Sequence, residues 1–297
     1  VLGDESGYLT SDHQKMKLAA IEGMWKTEPA PAAFTLIGFP DQAARETRYA
    51  IHIPMLMGLI GTRSLDTVIP GIDQMVKVAE GRIAQGLKAY DALQQIRAAG
   101  GMDKVSPELP ATSEEHGNEL GYALLPKRYV DDPRQATPEH TIQAAWDTVP
   151  LVAPMFWLFR IMVGIGFFQI LLMAIFFVLS ARRTLERRRW LLKVALYAIP
   201  LPWIAIEAGW LVAEVGRQPW VVEGILPTAV AVSSLGVKTL LFSLACFVVL
   251  YTVLLVIEIK LMLKAIRTGP QAEHAPGEGA ARRPVAGSGP ANLISAE

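Results

Sequence analysis

Five residues between positions 200 and 214 are spaced to share one helix face: Pro200, Trp203, Glu207, Trp210 and Glu214. Their intervals of three and four residues follow the helical repeat, so two carboxylates and two indoles line up. They lie in an apolar run, and a surface turned to lipid would not carry them. This face is expected to meet protein or a cofactor, as an interhelical polar network with aromatic packing or as a functional site. Arg217 follows Glu214 by three residues, so the two can share a site. Arg160 and Met162 are a second candidate inside another apolar run. A charge at mid-bilayer costs about 2.5–3.5 kcal/mol on insertion scales, which makes such residues functional candidates. Arg160 sits too deep to reach water fully. It is expected to pair with a carboxylate or with an anionic cofactor group. Met162 by itself reads as packing.

The elements that must hold these residues are membrane helices. The 297 residues are 52% hydrophobic with a formal net charge of zero, and the apolar residues concentrate in the second half. A helix needs roughly 20 apolar residues to cross about 30 Å of hydrocarbon. Runs at about 151–180, 190–214 and 239–264 meet that length. The last carries Glu258 and Lys260 near its end; Lys260 can reach the interface, and Glu258 needs a partner. The link ARRTLERRR holds five arginines, whereas the link at about 215–237 holds only Arg217. Positive charge in short loops marks the cytoplasmic side. Residues 181–189 and the C-terminal end are therefore expected in the cytoplasm. Residues 1–150 and 215–238 are expected on the outer side, the periplasm of a bacterium. The Gly/Ala/Pro-rich segment 265–297 reads as a disordered tail.

Residues 1–150 form a mostly helical and looped segment. Apolar positions from Ile72 to Ile96 recur at helical spacing, and Gly100 and Gly101 stop that helix. A second helix is expected near the start, with Asp12 as its N-cap. Pro29, Pro31, Pro40 and Pro54 are expected to break the following stretch into loops. The five histidines (13, 52, 116, 140 and 274) are scattered, and none lies in an apolar run. The one cysteine, Cys246, excludes an intrachain disulfide and a cysteine metal site. Basic clusters flank apolar runs instead of forming a surface stripe, so nucleic acid is not an expected partner. The first residue is Val1, with no basic and apolar leader behind it, and the sequence reads as a piece of a longer polypeptide. The expected fold class is an all-α membrane protein with three transmembrane helices behind an extracytoplasmic segment.

Several stretches carry a specific resemblance. GWLVAEVGRQPW (209–220), LPTAVAVSSL (226–235), PLPWIAIEAGW (200–210) and FRIMVGIG (159–166) resemble subunit I of cytochrome bd-type quinol oxidases. In the first half, GDESGY (3–8), KLAAIEGMW (17–25), PAPAAFTLIGFPDQ (29–42), TRSLDT (62–67) and GYALLPKRY (121–129) resemble that family's long periplasmic quinol loop. The resemblance implies a terminal oxidase that oxidises ubiquinol or menaquinol on the periplasmic side and reduces dioxygen to water. It implies a low-spin haem b, a high-spin haem b and a haem d. It assigns Met162 to the low-spin haem iron and Glu214 to the high-spin one. Arg160 would act electrostatically beside the low-spin haem, Trp210 would lie between haems, and Arg217 would balance propionate charge. Lys17 and Glu22 match the loop residues linked to quinol oxidation; a lysine can polarise a quinol oxygen and a carboxylate can accept its proton.

The family's further spans, which supply histidine haem ligands, precede the quinol loop. The expected partners are therefore the N-terminal part of subunit I, subunit II and small accessory membrane subunits in the bacterial inner membrane. Two other functions compete on the residues alone. A receptor or sensor predicts a cytoplasmic output domain, and the tail offers none. A transporter predicts broken spans or an internal repeat, and no repeat is visible.

Overall fold

The computed structural model describes residues 2–101 and 104–268. Most of the tail expected to be disordered lies outside them. Two compact units divide the chain after Val232. The first begins with helices α1 (Leu2–His13) and α2 (Lys15–Glu22), followed by a hairpin of β1 (Phe34–Asp41) and β2 (Glu46–Ile53). The long α3 (Ile72–Ala99) comes next, then the short α4 (Glu108–Glu115), α5 (Leu120–Ala123) and α6 (Pro138–Trp146). The apolar α7 (Val152–Ala181), α8 (Arg189–Ala198) and α9 (Leu201–Val215) follow, and a small hairpin of β3 (Trp220–Val222) and β4 (Leu226–Pro227) ends the unit. The second unit contains α10 (Val237–Thr268).

Among the described residues, three helical stretches are long and apolar enough to cross a membrane: Val152–Ala181, Arg189–Val215 and Val237–Thr268. The middle one bends between α8 and α9, at Ile199 and Pro200. Pro200 and Pro202 lack the N–H that would continue the hydrogen-bond ladder. The fold is thus mostly helical with little sheet, an all-α membrane protein.

The outer helices are positioned by one apolar core. Ile72, Val76, Ala79 and Ile83 of α3 meet Leu18, Ala19 and Ile21 of α2. Val152 and Met155 from the first turns of α7 and Val212 from the last turns of α9 complete the cluster. Ile83 is fully buried, and burying such a side chain stabilises by about 1.5–3 kcal/mol. The core therefore clamps the extramembrane helices onto the ends of two spans. Gly100, at φ 81°, closes α3 as its sequence predicts.

Three expectations are corrected. Asp12 caps no helix: it lies in the last turn of α1, and α2 starts after Gln14. The proline-rich stretch is not all loop, because residues 34–53 pair as an antiparallel hairpin. Pro40 is tolerated near the end of β1, and Asp41 Oδ1 accepts the N–H groups of Ala43 and Ala44 at 3.0 Å to shape the turn. The tail does not begin at residue 265, since α10 continues to Thr268.

Candidate functional site

Arg160, on α7, is buried to 9% exposure and joins the outer segment to the first span. Its Nε donates to the carbonyls of Thr35 (3.0 Å) and Leu36 (3.1 Å). Nη1 donates to Ile21 O (2.8 Å) and Phe156 O (2.9 Å), and Nη2 to Thr35 O. Nη2 also meets Glu22 Oε2 at 3.4 Å. The guanidinium lies 3.3 Å from the centroid of the Phe156 ring, in cation–π contact. Acceptors from α2, β1 and α7 thus converge on one planar fork, which suits arginine and not lysine.

Glu22 is 2% exposed, and its Oε2 also accepts the Thr35 N–H at 3.1 Å. Burial pushes its carboxyl up to about 7, against the opposing pull of Arg160 and the two hydrogen bonds. Glu22 supplies the carboxylate partner expected for Arg160.

Lys17 faces elsewhere. It lies five residues before Glu22 on α2, about 140° around the helix. It lines a cavity of about 360 Å³ together with Arg82, Tyr122, Arg217, Trp220 and Glu223. Burial lowers the Lys17 ammonium, Glu223 and Glu214 raise it, and Arg217 adds to the lowering. The far wall is well fixed. Arg82 Nε donates to Glu119 Oε2 at 2.6 Å and Nη1 to Tyr122 Oη at 2.9 Å. The Tyr122 and Trp220 rings pack with centroids 4.9 Å apart. A Cβ on Gly121 would overlap the Gly224 carbonyl oxygen, so only glycine lets α5 approach the β3–β4 turn this closely.

The span residues divide between two faces of α9. Ala208 and Val212 are buried, and a Cβ on the neighbouring Gly209 would come within 2.9 Å of Met162 Sδ. Met162 therefore packs from α7 into the notch at Gly209. Arg160 and Met162 are two residues apart and serve different neighbours, α2 and β1 for the first and α9 for the second. The opposite α9 face leaves Trp203 64% and Trp210 57% exposed. Glu214 is half-exposed at the end of that face and is paired with Arg217 Nη2.

This arrangement fits haem in its donor chemistry. A thioether is an established axial donor, and Met162 carries one on α7. Trp203 and Trp210 leave exposed indoles on α9 beside Glu207 and Glu214, and Arg217, paired with Glu214, carries a fork that suits a propionate. Sequence reasoning missed Arg82, Tyr122, Trp220 and Glu223 as cavity walls. The signal for the last two was an apolar link with few charges that nonetheless carries an acid.

Residues 1–270 match the family described as cytochrome bd terminal oxidase subunit I. The chain is 42% identical over 271 residues to the cytochrome bd-II ubiquinol oxidase subunit 1 of Escherichia coli (strain K12), covering 91% of this chain and 52% of that one. It is 28% identical over 274 residues to the cytochrome bd ubiquinol oxidase subunit 1 of Bacillus subtilis (strain 168), covering 91% and 45%. A putative cytochrome bd menaquinol oxidase subunit I of the same organism is 27% identical over 271 residues, covering 90% and 44%. The chain spans about half the length of the curated relatives it matches. The family match and the apolar helices make it an inner-membrane protein. With all its described residues inside the match, from the Lys17 cavity through the apolar helices, the chain belongs to the cytochrome bd terminal oxidase subunit I family.

Proposed function

We propose that this chain forms the quinol-oxidising, haem-holding part of a bd-type terminal oxidase. The observation that carries the reading is the Lys17 cavity, which opens between the outer helices and the residues that follow α9. A quinol head group lies there against Lys17, whose ammonium polarises a quinol oxygen. Glu22, with a carboxyl near 7 behind the same helix, holds a second exchangeable proton. Its ion pair with Arg160 fixes the loop against the span that carries Met162.

Met162 would hold the low-spin haem b through its thioether, and Glu214 the high-spin haem b through its carboxylate. Arg160 would act electrostatically beside the low-spin haem, Trp210 would serve the haems from α9, and Arg217 would balance propionate charge. A haem d completes the set. When bound, these groups supply one-electron transfer and the reduction of dioxygen to water. Residues 1–150 and 215–238 lie on the periplasmic side and the C-terminal end lies in the cytoplasm, as the arginines of 181–189 support. Quinol protons released outside then add to a proton gradient without a pump. The N-terminal part of subunit I, subunit II and small accessory subunits complete the assembly, and ubiquinol or menaquinol is the substrate.

The test is quinol-driven oxygen uptake by the purified complete complex carrying Lys17→Met. Uptake should fall about a hundredfold, while uptake driven by an artificial one-electron donor stays at the wild-type rate. Equal retention of both activities would contradict the reading.

A further inference from the structure

We propose that Glu223, in the turn after β3, is the group that first takes the proton from quinol in the Lys17 cavity. The inference deepens the quinol reading and rests on it. Glu22, Glu119, Glu214 and Glu223 all approach this region, and of these four only Glu223 lines the cavity. Glu22 is 2% exposed, bonded to Arg160 and the Thr35 N–H, and turned away from Lys17. Glu223 stands at the cavity wall and is open to solvent. A group in that position can accept a proton inside and release it to water outside.

Its surroundings suit the task. Lys17 of α2, His13 of α1 and Arg82 of α3 face it with basic groups, and the Tyr122 hydroxyl of α5 lies near it. Burial of part of the group raises its carboxyl above the usual range, with Arg82, Lys17 and His13 pulling the other way. A raised carboxylate is a better proton acceptor near neutral pH. The turn is also held in place, because Gly224 rests directly on Gly121. The step balances simply. A quinol O–H bond breaks, its proton goes to a Glu223 carboxylate oxygen, and the electron left behind reduces a ferric haem of the complete oxidase. A second such transfer yields quinone.

The experiment compares Glu223→Gln, Glu223→Asp and Lys17→Met in the complete complex, with quinol and with an artificial one-electron donor that releases no proton. Glu223→Gln should lower kcat for quinol by about tenfold or more and leave the artificial donor rate unchanged. It should also remove the acid limb of the pH profile, which Glu223→Asp restores. Loss of quinol oxidation in Lys17→Met with wild-type rate and pH profile in Glu223→Gln would overturn the proposal and leave the cavity reading standing. Wild-type quinol oxidation in both variants would overturn the two together. Equal loss with both donors in Glu223→Gln would mark a structural residue and also overturn the proposal.

Discussion

The five N–H donors of Arg160 reach four carbonyls and one carboxylate drawn from α2, β1 and α7. Removing the guanidinium strands a buried carboxylate. Arg160→Leu should therefore destabilise the outer segment by about 3–5 kcal/mol, read as a lowered midpoint in denaturant unfolding of the complex. Glu22 adds a pH dependence of determined sign. Its carboxyl sits at about 7 in the fold against 4.5 when free, so the folded chain binds more protons between those values. Its contribution to stability is complete below about 4.5 and is lost as pH rises through about 7. Melting curves of Glu22→Gln should show a flatter fall in midpoint across this window than the wild type does. The sequence made Arg160 a residue in need of an anion. It did not reveal the anion, because Glu22 is 138 residues away and only tertiary packing brings it near. Nor could it reveal that Lys17 and Glu22, both matched through one motif, look into different environments.

At the level of elements, α9 is a two-faced helix. The spacing of Trp203, Glu207, Trp210 and Glu214 was legible because helical periodicity fixes which residues align, whatever surrounds them. The packing face was less legible, since Ala208, Gly209 and Val212 carry no chemical signal. Yet Gly209 sets where Met162 rests. Gly209→Ala should push the thioether away and shift the reduced band and potential of the low-spin haem, with the haem d band unchanged. Unaltered b-type bands would contradict that placement of Met162. Gly121 plays the matching part at the cavity. Gly121→Ala should displace the β3–β4 turn and lower quinol oxidation about tenfold or more, with full haem content in the spectrum. The hairpin at 34–53 escaped the sequence reading because prolines usually break strands, whereas here Pro40 sits near a strand end, opposite Thr47.

On the scale of the whole molecule, the first unit joins residues 1–150 to the ends of α7 and α9 through one core. The long apolar runs were plain in the sequence because length and composition alone define them. The outer helices were only partly legible, since short elements such as α5 owe their position to contact with α3 and the β3–β4 turn. Large apolar side chains of the spans remain open within their unit, including Phe167 at 71% and Phe177 at 75% exposure. Such surfaces need lipid or further protein around them. On the proposed function, that surrounding protein is the rest of a haem-bearing oxidase. The direct test is a dithionite-reduced minus air-oxidised visible spectrum of the intact complex containing this chain. Separate b-type and d-type bands are the predicted result. A spectrum without haem bands, from a folded and intact complex, would contradict the account.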